Sequence, residues 1–228
     1  MTRGHAKSAL EIVIRFGVDD GGKGGCPMST IDYFFSTLST WSYVGSRVFR
    51  DLAKRYSVRV HHKPTNLLTL FEATGGLPAG QRPPQRQAWR KIEMKRWSKK
   101  RGLPMNLDPA YWPVNPRLAD GAVIVATREA GEEAAGQLAD ALMRAVWEEE
   151  RNITEPGVVA AIGNENGLEG VRLVDAASRS DISDAIKQNT QEAIDRGLFG
   201  APSYCLGDEF FWGQDRLDML EDALKDRA

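Results

Sequence analysis

Hydrophobic and polar positions along this chain switch between two periods, and the switches mark its elements. Ile31-Asp32-Tyr33-Phe34-Phe35 is short, aromatic and β-branched, and predicts a buried strand. Ser36-Thr37-Leu38-Ser39-Thr40 is hydroxyl-rich, the composition of a strand-to-helix turn with an N-cap. From Trp41 to Tyr56 the apolar residues Val44, Val48, Phe49, Leu52 and Tyr56 recur near the helical period, and Val58-Arg59-Val60-His61 opens a second strand. Strand, helix and strand in this order predict a right-handed crossover between parallel strands. The span 72–87 is rich in Gly, Pro and Gln and reads as a loop. A helix is predicted from Trp89 to about Arg101, ended by Gly102 with Pro104 beyond it. Further helices are predicted near 116–130, 134–151, 155–163 and 181–196. Their signals are Pro116 and Pro156 in first turns, Asp181 as a cap and Gly197 as a stop. The chain then returns to β: Ser203 to Leu206 and Glu209 to Trp212 form a hairpin around Gly207-Asp208. Residues 214–225 finish as a helix with Leu217, Leu220 and Leu224 on one side.

The order β-α-β, helical block, β-β-α predicts an α/β protein: a thioredoxin-like core interrupted by a large all-helical insertion. The core is expected to be discontinuous, residues 29–70 and 195–228, with the helical domain at 71–194. Residues 1–28 read differently. Asp19-Asp20-Gly21-Gly22-Lys23-Gly24-Gly25 cannot bury apolar area and predicts a flexible N-terminal extension, with Met28 as the expected natural start.

Composition narrows the function classes. A formal charge of -1 over 228 residues demands no polyanionic partner. The basic run Arg90, Lys91, Lys95, Arg96, Lys99, Lys100 and Arg101, interleaved with Trp89 and Trp97, therefore reads as a solvated helix face and not a nucleic-acid surface. No apolar run approaches the roughly 18 residues of a membrane span. Glu11 and Arg15 interrupt the apolar stretch Ser8–Gly17, which makes it a poor signal peptide; a cytoplasmic location with reduced thiols and no membrane partner is expected. Cys26 and Cys205 are far apart, and there is no CxxC and no Cys/His cluster with metal-ligand spacing. His61 and His62 should point to opposite faces of a strand, so no metal is expected.

In a thioredoxin-like fold, the turn entering the first helix carries the reactive CxxC. Here Ser39 and Ser42 stand at its two ends. Disulfide exchange needs a thiolate at the first position, which serine cannot supply. A hydroxyl at a helix N-terminus can instead donate to a bound thiolate, with the unpaired N–H groups and the helix dipole favouring ionisation of a thiol brought by a cofactor. Ser39 is equally well read as a plain N-cap. Gly200-Ala201-Pro202 precedes a strand; Pro202 is either an ordinary strand-entry proline or the cis-proline that faces the reactive turn and leaves Ala201 free to pair with an extended peptide. Gln214 and Asp215 open the last helix after Gly213, where N–H groups suit a carboxylate and Asp215 an ammonium; capping is the alternative.

Asp32-Tyr33-Phe34-Phe35 through Ser39-Thr40-Trp41-Ser42-Tyr43 resembles the N-terminal motif of 2-hydroxychromene-2-carboxylate isomerases and kappa-class glutathione transferases. Phe199-Gly200-Ala201-Pro202 and Leu206 through Leu217 resemble the isomerases more strongly, and Ile153-Thr154-Glu155-Pro156 resembles the helical domain of the kappa group. The resemblance covers roughly residues 30–225 and implies a fold of the DsbA/kappa type, glutathione as cofactor and a homodimer. It implies Ser39 beside the sulfur, Ala201 and cis-Pro202 along the cofactor backbone, and Gln214 with Asp215 at its γ-glutamyl end. The family usually has proline after the serine, where this chain has Thr40, and often an acidic residue at the position of Ser36. The lysine and asparagine that the family commonly offers after the second strand are replaced by Glu72-Ala73-Thr74-Gly75-Gly76.

The expected activity is a glutathione-dependent isomerisation of an aromatic-degradation intermediate of the 2-hydroxychromene-2-carboxylate type, by reversible thiolate addition to an enone. Trp41, Tyr43, Trp97 and Trp212 are candidate aromatic walls for the substrate, and Arg96 a candidate partner for its carboxylate. The alternatives are a kappa-like transferase that releases the adduct, and a non-catalytic glutathione- or peptide-binding protein.

Overall fold

The computed structural model describes residues 29–227; the expected N-terminal extension, with Cys26 and Met28, lies outside the described residues. The strands are β1 (Thr30–Phe35), β2 (Arg59–Pro64), β3 (Ser203–Leu206) and β4 (Glu209–Trp212). They form one sheet in the order β2-β1-β3-β4. β1 and β2 are parallel, joined through α1 (Thr40–Arg55), while β3 and β4 are antiparallel additions on the other side of β1. Between β2 and β3 come α2 (Leu67–Thr74), α3 (Pro84–Arg101), α4 (Arg117–Ala130), α5 (Glu132–Trp147), α6 (Pro156–Glu165), α7 (Gly170–Ala177) and α8 (Ser180–Asp195). The last helix is α9 (Leu217–Lys225), entered through a 3-10 turn at Gln214–Arg216. The predicted thioredoxin-like core with a helical insertion is the observed fold. Among the described residues no helix is long and apolar enough to cross a membrane.

Alternation along β1 divides the interior. Ile31, Tyr33 and Phe35 enter a large core shared with α1, α4 and α5, where the Tyr33 ring stacks on Phe35 at 4.5 Å and on Tyr204 at 5.2 Å. Phe34 points the other way, into a smaller cluster with Leu70, Ala193, Leu198 and Cys205. Because both faces of β1 are covered, its sequence is an almost unbroken apolar run. His61 and His62 do diverge: the first bonds Asp32 at 3.0 Å and the second Glu132 at 2.8 Å.

Several boundaries differ from expectation. α2 occupies a segment without a predicted helix and runs into the predicted loop. Asn66 starts it, accepting from the amides of Leu68 at 3.1 Å and Thr69 at 3.3 Å, and Gly75 at φ +77° stops it. α3 begins at Pro84, ahead of Trp89, because a proline is compatible with the first helical turn. α7 was not predicted; only eight residues long, it is held mainly by packing on α4 and α6. α5 ends at Trp147, earlier than position 151. Asp181 lies in the first turn of α8 and does not cap it; Gly197, at φ +73°, does mark the stop.

Candidate functional site

The sheet register gathers the site. β3 runs antiparallel to β1 with Phe34 opposite Ser203, so the residues leaving β1 and those entering β3 share one sheet end. Ser203 opposite Trp212 places the residues leaving β4 there too, and the Gly213 amide donates to the Pro202 carbonyl at 2.8 Å. Three chain segments distant in sequence thus meet: the turn 36–40, the stretch 199–202 and the turn 213–216.

The first segment carries Ser39. Its backbone is extended, its amide bonds the Ser36 carbonyl at 2.9 Å, and its Oγ accepts from the Ser42 amide at 3.2 Å. Ser39 is therefore the N-cap of α1. That role uses only an oxygen lone pair, and the hydroxyl keeps its proton to donate elsewhere. The cap and the thiol-facing donor are compatible roles. The amides of Thr40 and Trp41, at the start of the helix, have no intrahelical acceptor by position.

A buried carboxylate braces this turn. Asp120, projecting from α4, accepts from Ser36 Oγ at 3.0 Å, from the Thr37 amide at 2.7 Å and from Thr37 Oγ1 at 2.8 Å. Burial pushes its carboxyl up to about 6, against the lowering effect of the donors from Thr37 and Ser36. An acid that the sequence lacks at position 36 is thus brought to the same turn from elsewhere in the chain.

The second segment has a cis Ala201-Pro202 bond. At Gly200 a Cβ would lie 2.5 Å from Trp212 Nε1, so the half-exposed indole sits close over the backbone just before the proline. Phe199 packs on that indole at 4.6 Å. In the third segment Gln214 is buried, and Gly45 of α1 makes room for it, since a Cβ there would come within 2.8 Å of Gln214 Cβ. Arg101 of α3 donates to the Gln214 carbonyl and to its Oε1, both at 3.1 Å. Arginine has no acceptor, so the amide oxygen must face it and the Gln214 NH2 group is left to donate.

The structure redistributes the other sequence candidates. Asp215 is exposed at this turn, and one of its carboxylate oxygens pairs with the neighbouring Arg216 at 2.8 Å. Tyr43, a candidate aromatic wall, does not face solvent beside the turn. It is buried, with its hydroxyl on the Glu148 carboxylate and the Pro104 carbonyl; it lies across α1 from the stripe of Val44, Val48, Phe49 and Leu52, so packing from the helical block and not the helical period buries it. Trp97 lies beneath Arg101 at 5.1 Å, as part of the support for Gln214. Trp41 is partly buried beside Ser39 on the first turn. Arg96 is exposed, paired with Glu93 at 2.8 Å and set over Trp89 at 5.2 Å. At 100° per residue it lies on a different face of α3 from Arg90, Met94 and Arg101. Arg90 is the α3 residue that reaches the Ser39-Thr40 turn, bonding Thr40 Oγ1, as Arg101 reaches Gln214.

Sequence reasoning missed Arg90, Arg101 and Asp120. The basic run of α3 gave a signal, but only the helical phase distinguishes its two inward arginines from the solvated ones. Cys205, the described cysteine, is buried away from the turn, and burial pushes its thiol up to about 11. Among the described residues no cluster of three or more His, Cys, Asp and Glu is placed to hold a metal.

The fold and site together define a thioredoxin-like domain with a serine in the reactive-turn position. The chain belongs to the DSBA-like thioredoxin domain family, which matches residues 30–225. It is similar to a protein of Pseudomonas putida named 2-hydroxychromene-2-carboxylate isomerase, 26% identical over 196 residues that cover 85% of this chain and 93% of the relative. It is also 23% identical to glutathione S-transferase kappa 1 of Caenorhabditis elegans, over 86% of this chain and 90% of that one. A solved 2-hydroxychromene-2-carboxylate isomerase superposes with a TM-score of 0.73 at 25% identity, covering 86% of this chain and 95% of the other. The cytosolic disulfide reductase DsbM of Pseudomonas aeruginosa shares the fold, with a TM-score of 0.67 at 18% identity.

Proposed function

We propose that this protein is a glutathione-dependent isomerase of conjugated aromatic acids of the 2-hydroxychromene-2-carboxylate type. The observation that carries the reading is Ser39: a hydroxyl fixed at the N-terminus of α1, with its own proton still to donate, at the point where a redox member of the fold needs sulfur. Relatives named as isomerases of this type and as a kappa-class glutathione transferase support it.

The residues present fit glutathione by their donor set. Ser39 and the unpaired first-turn amides favour an anionic sulfur. The backbone of Ala201 beside cis-Pro202 offers N–H and C=O to an extended peptide. The Gln214 NH2 group, with its oxygen occupied by Arg101, offers donors to the γ-glutamyl carboxylate. When bound, glutathione supplies a thiolate whose reversible addition to a conjugated double bond allows that bond to rotate. The chain's part is to lower the cost of the thiolate through the Ser39 hydroxyl and to hold the turn rigid through Asp120, with Trp41 and Trp212 beside the turn and the cis-proline.

Incubating the full chain with 2-hydroxychromene-2-carboxylate tests this. Its interconversion with the open-chain hydroxybenzylidenepyruvate is expected to require glutathione and to consume none. Stoichiometric loss of thiol would identify a transferase instead. Glutathione binding without any acceleration would identify a binding protein, and absence of binding would end the reading.

A further inference from the structure

Arg90 is an uncompensated charge at the reactive turn. Its Cζ lies 4.4 Å from the Trp112 ring and 5.9 Å from that of Trp147, and one Nη donates to Thr40 Oγ1, on the residue next to Ser39. Among the described residues no carboxylate forms an ion pair with it, and Asp108, the acid that attracts it, is engaged by Lys91. Arg82 adds a like charge nearby, with its own Nε on the Leu77 carbonyl at 2.9 Å. Burial, with Arg82, pushes the Arg90 guanidinium down to about 10. A guanidinium has five N–H donors in one plane; Thr40 accepts from one, and the indole faces accept none of the in-plane set. The fully buried indole N–H of Trp147, in the same cluster, also lacks an acceptor. A desolvated cation with idle in-plane donors is the arrangement that a carboxylate completes.

Position decides which carboxylate. Arg90 and Arg101 lie on one face of α3, since eleven residues advance the helix by three turns and about 20°. Arg101 marks the Gln214 end of the site. Arg90 stands about 16 Å further along the helix axis, at the Ser39-Thr40 end. In the reading above, the Gln214 end takes the γ-glutamyl group and the Ser39 end faces the electrophile.

We propose that Arg90 is a specificity-determining residue that receives the carboxylate of the electrophile, so that the site selects anionic enones over their neutral analogues. This rests on the glutathione reading for the identity of the site. The chemistry is that of a bidentate guanidinium–carboxylate pair, held flat by Trp112 and steadied by Thr40.

The test titrates benzylidenepyruvate and its methyl ester into the full chain, followed by quenching of tryptophan fluorescence, with glutathione titrated separately. Wild type is expected to bind the acid about 10- to 100-fold more tightly than the ester, the range expected of a hydrogen bond to a charged group. Arg90→Met should bring the acid to the level of the ester while leaving glutathione and ester binding unchanged. Arg90→Lys keeps the charge but loses the fork, and should fall between the two; it decides the matter if a melting curve shows Arg90→Met unfolded. An unchanged acid-to-ester ratio in the variants, or no binding of the acid by wild type, overturns the assignment. Loss of glutathione binding with the ratio intact overturns it as well, because Arg90 then serves the cofactor. A wild type that ignores glutathione yet shows an Arg90-dependent ratio defeats the proposed function while leaving this assignment standing.

Discussion

Ser39→Ala is expected to lower the glutathione-dependent rate by about 10²- to 10³-fold, the loss typical of removing one preorganised donor from a developing or stabilised anion. The hydroxyl has two separable roles, and they predict different quantities. As N-cap it accepts from the Ser42 amide at 3.2 Å, and losing that bond costs about 1 kcal/mol, or about 2–4 °C in Tm for a chain of this size. As donor to sulfur it should raise the fraction of bound thiolate, seen as ultraviolet thiolate absorbance in a glutathione titration. The expected variant therefore melts slightly earlier, loses the thiolate signal and loses most of its rate. A variant that melts earlier but keeps both signal and rate would reduce Ser39 to a cap.

The second large effect falls on stability. Asp120→Ala should cost about 3 kcal/mol, lowering Tm by about 6–12 °C, because it strands the buried Thr37 amide and Thr37 hydroxyl without their acceptor. Each orphaned donor costs about 1–3 kcal/mol, and the release of a buried carboxylate returns part of the sum. Asp120→Asn keeps an acceptor for Thr37 and can donate its amide to Ser36 Oγ, so it should cost under about 1 kcal/mol. The two variants also separate charge from shape. The folded-state carboxyl of Asp120 is raised to about 6, so the native chain holds this proton where the unfolded chain has released it. Stability from this group is full at low pH and is lost as pH rises from the ordinary carboxylate range through about 6. The difference in Tm between wild type and Asp120→Asn should therefore change across that window and be flat above it. Carboxylates such as Asp32, lowered by the hydrogen bonds of Arg196 and His61 against its own burial, act with the opposite sign but cancel in the difference. A difference independent of pH would place the Asp120 proton elsewhere. Asp120→Ala should also slow catalysis beyond its effect on folding, since the turn it braces carries Ser39.

The sequence was most informative where one residue type performs one local task. Ser39 was legible as a helix cap beside a missing cysteine, Pro202 as a proline before a strand, and Gly207-Asp208 as a hairpin turn, because capping, φ restriction and turn geometry act over a few residues. The two-faced burial of β1 was legible in its continuous apolar run. α7 was not legible because eight residues have too little intrinsic helix stability to leave a pattern; contacts with α4 and α6 hold it. The burial of Tyr43 was not legible because it lies off the periodic apolar stripe of α1 and is covered only by Pro104 and Glu148, which the chain brings in from far away.

By itself, then, the sequence determined the order of the strands and of the longer helices, the serine in place of a thiol, and the three segments that were candidates for the site. Only the tertiary structure decided which charges serve it. Asp120 reaches the Ser39 turn across more than eighty residues, Arg101 locks Gln214, and Arg90, not Arg96, meets Thr40. The reason is physical: caps and turns are set by neighbours in the chain, whereas a carboxylate or guanidinium is worth something only through the groups that desolvate and face it, and those are brought together by packing.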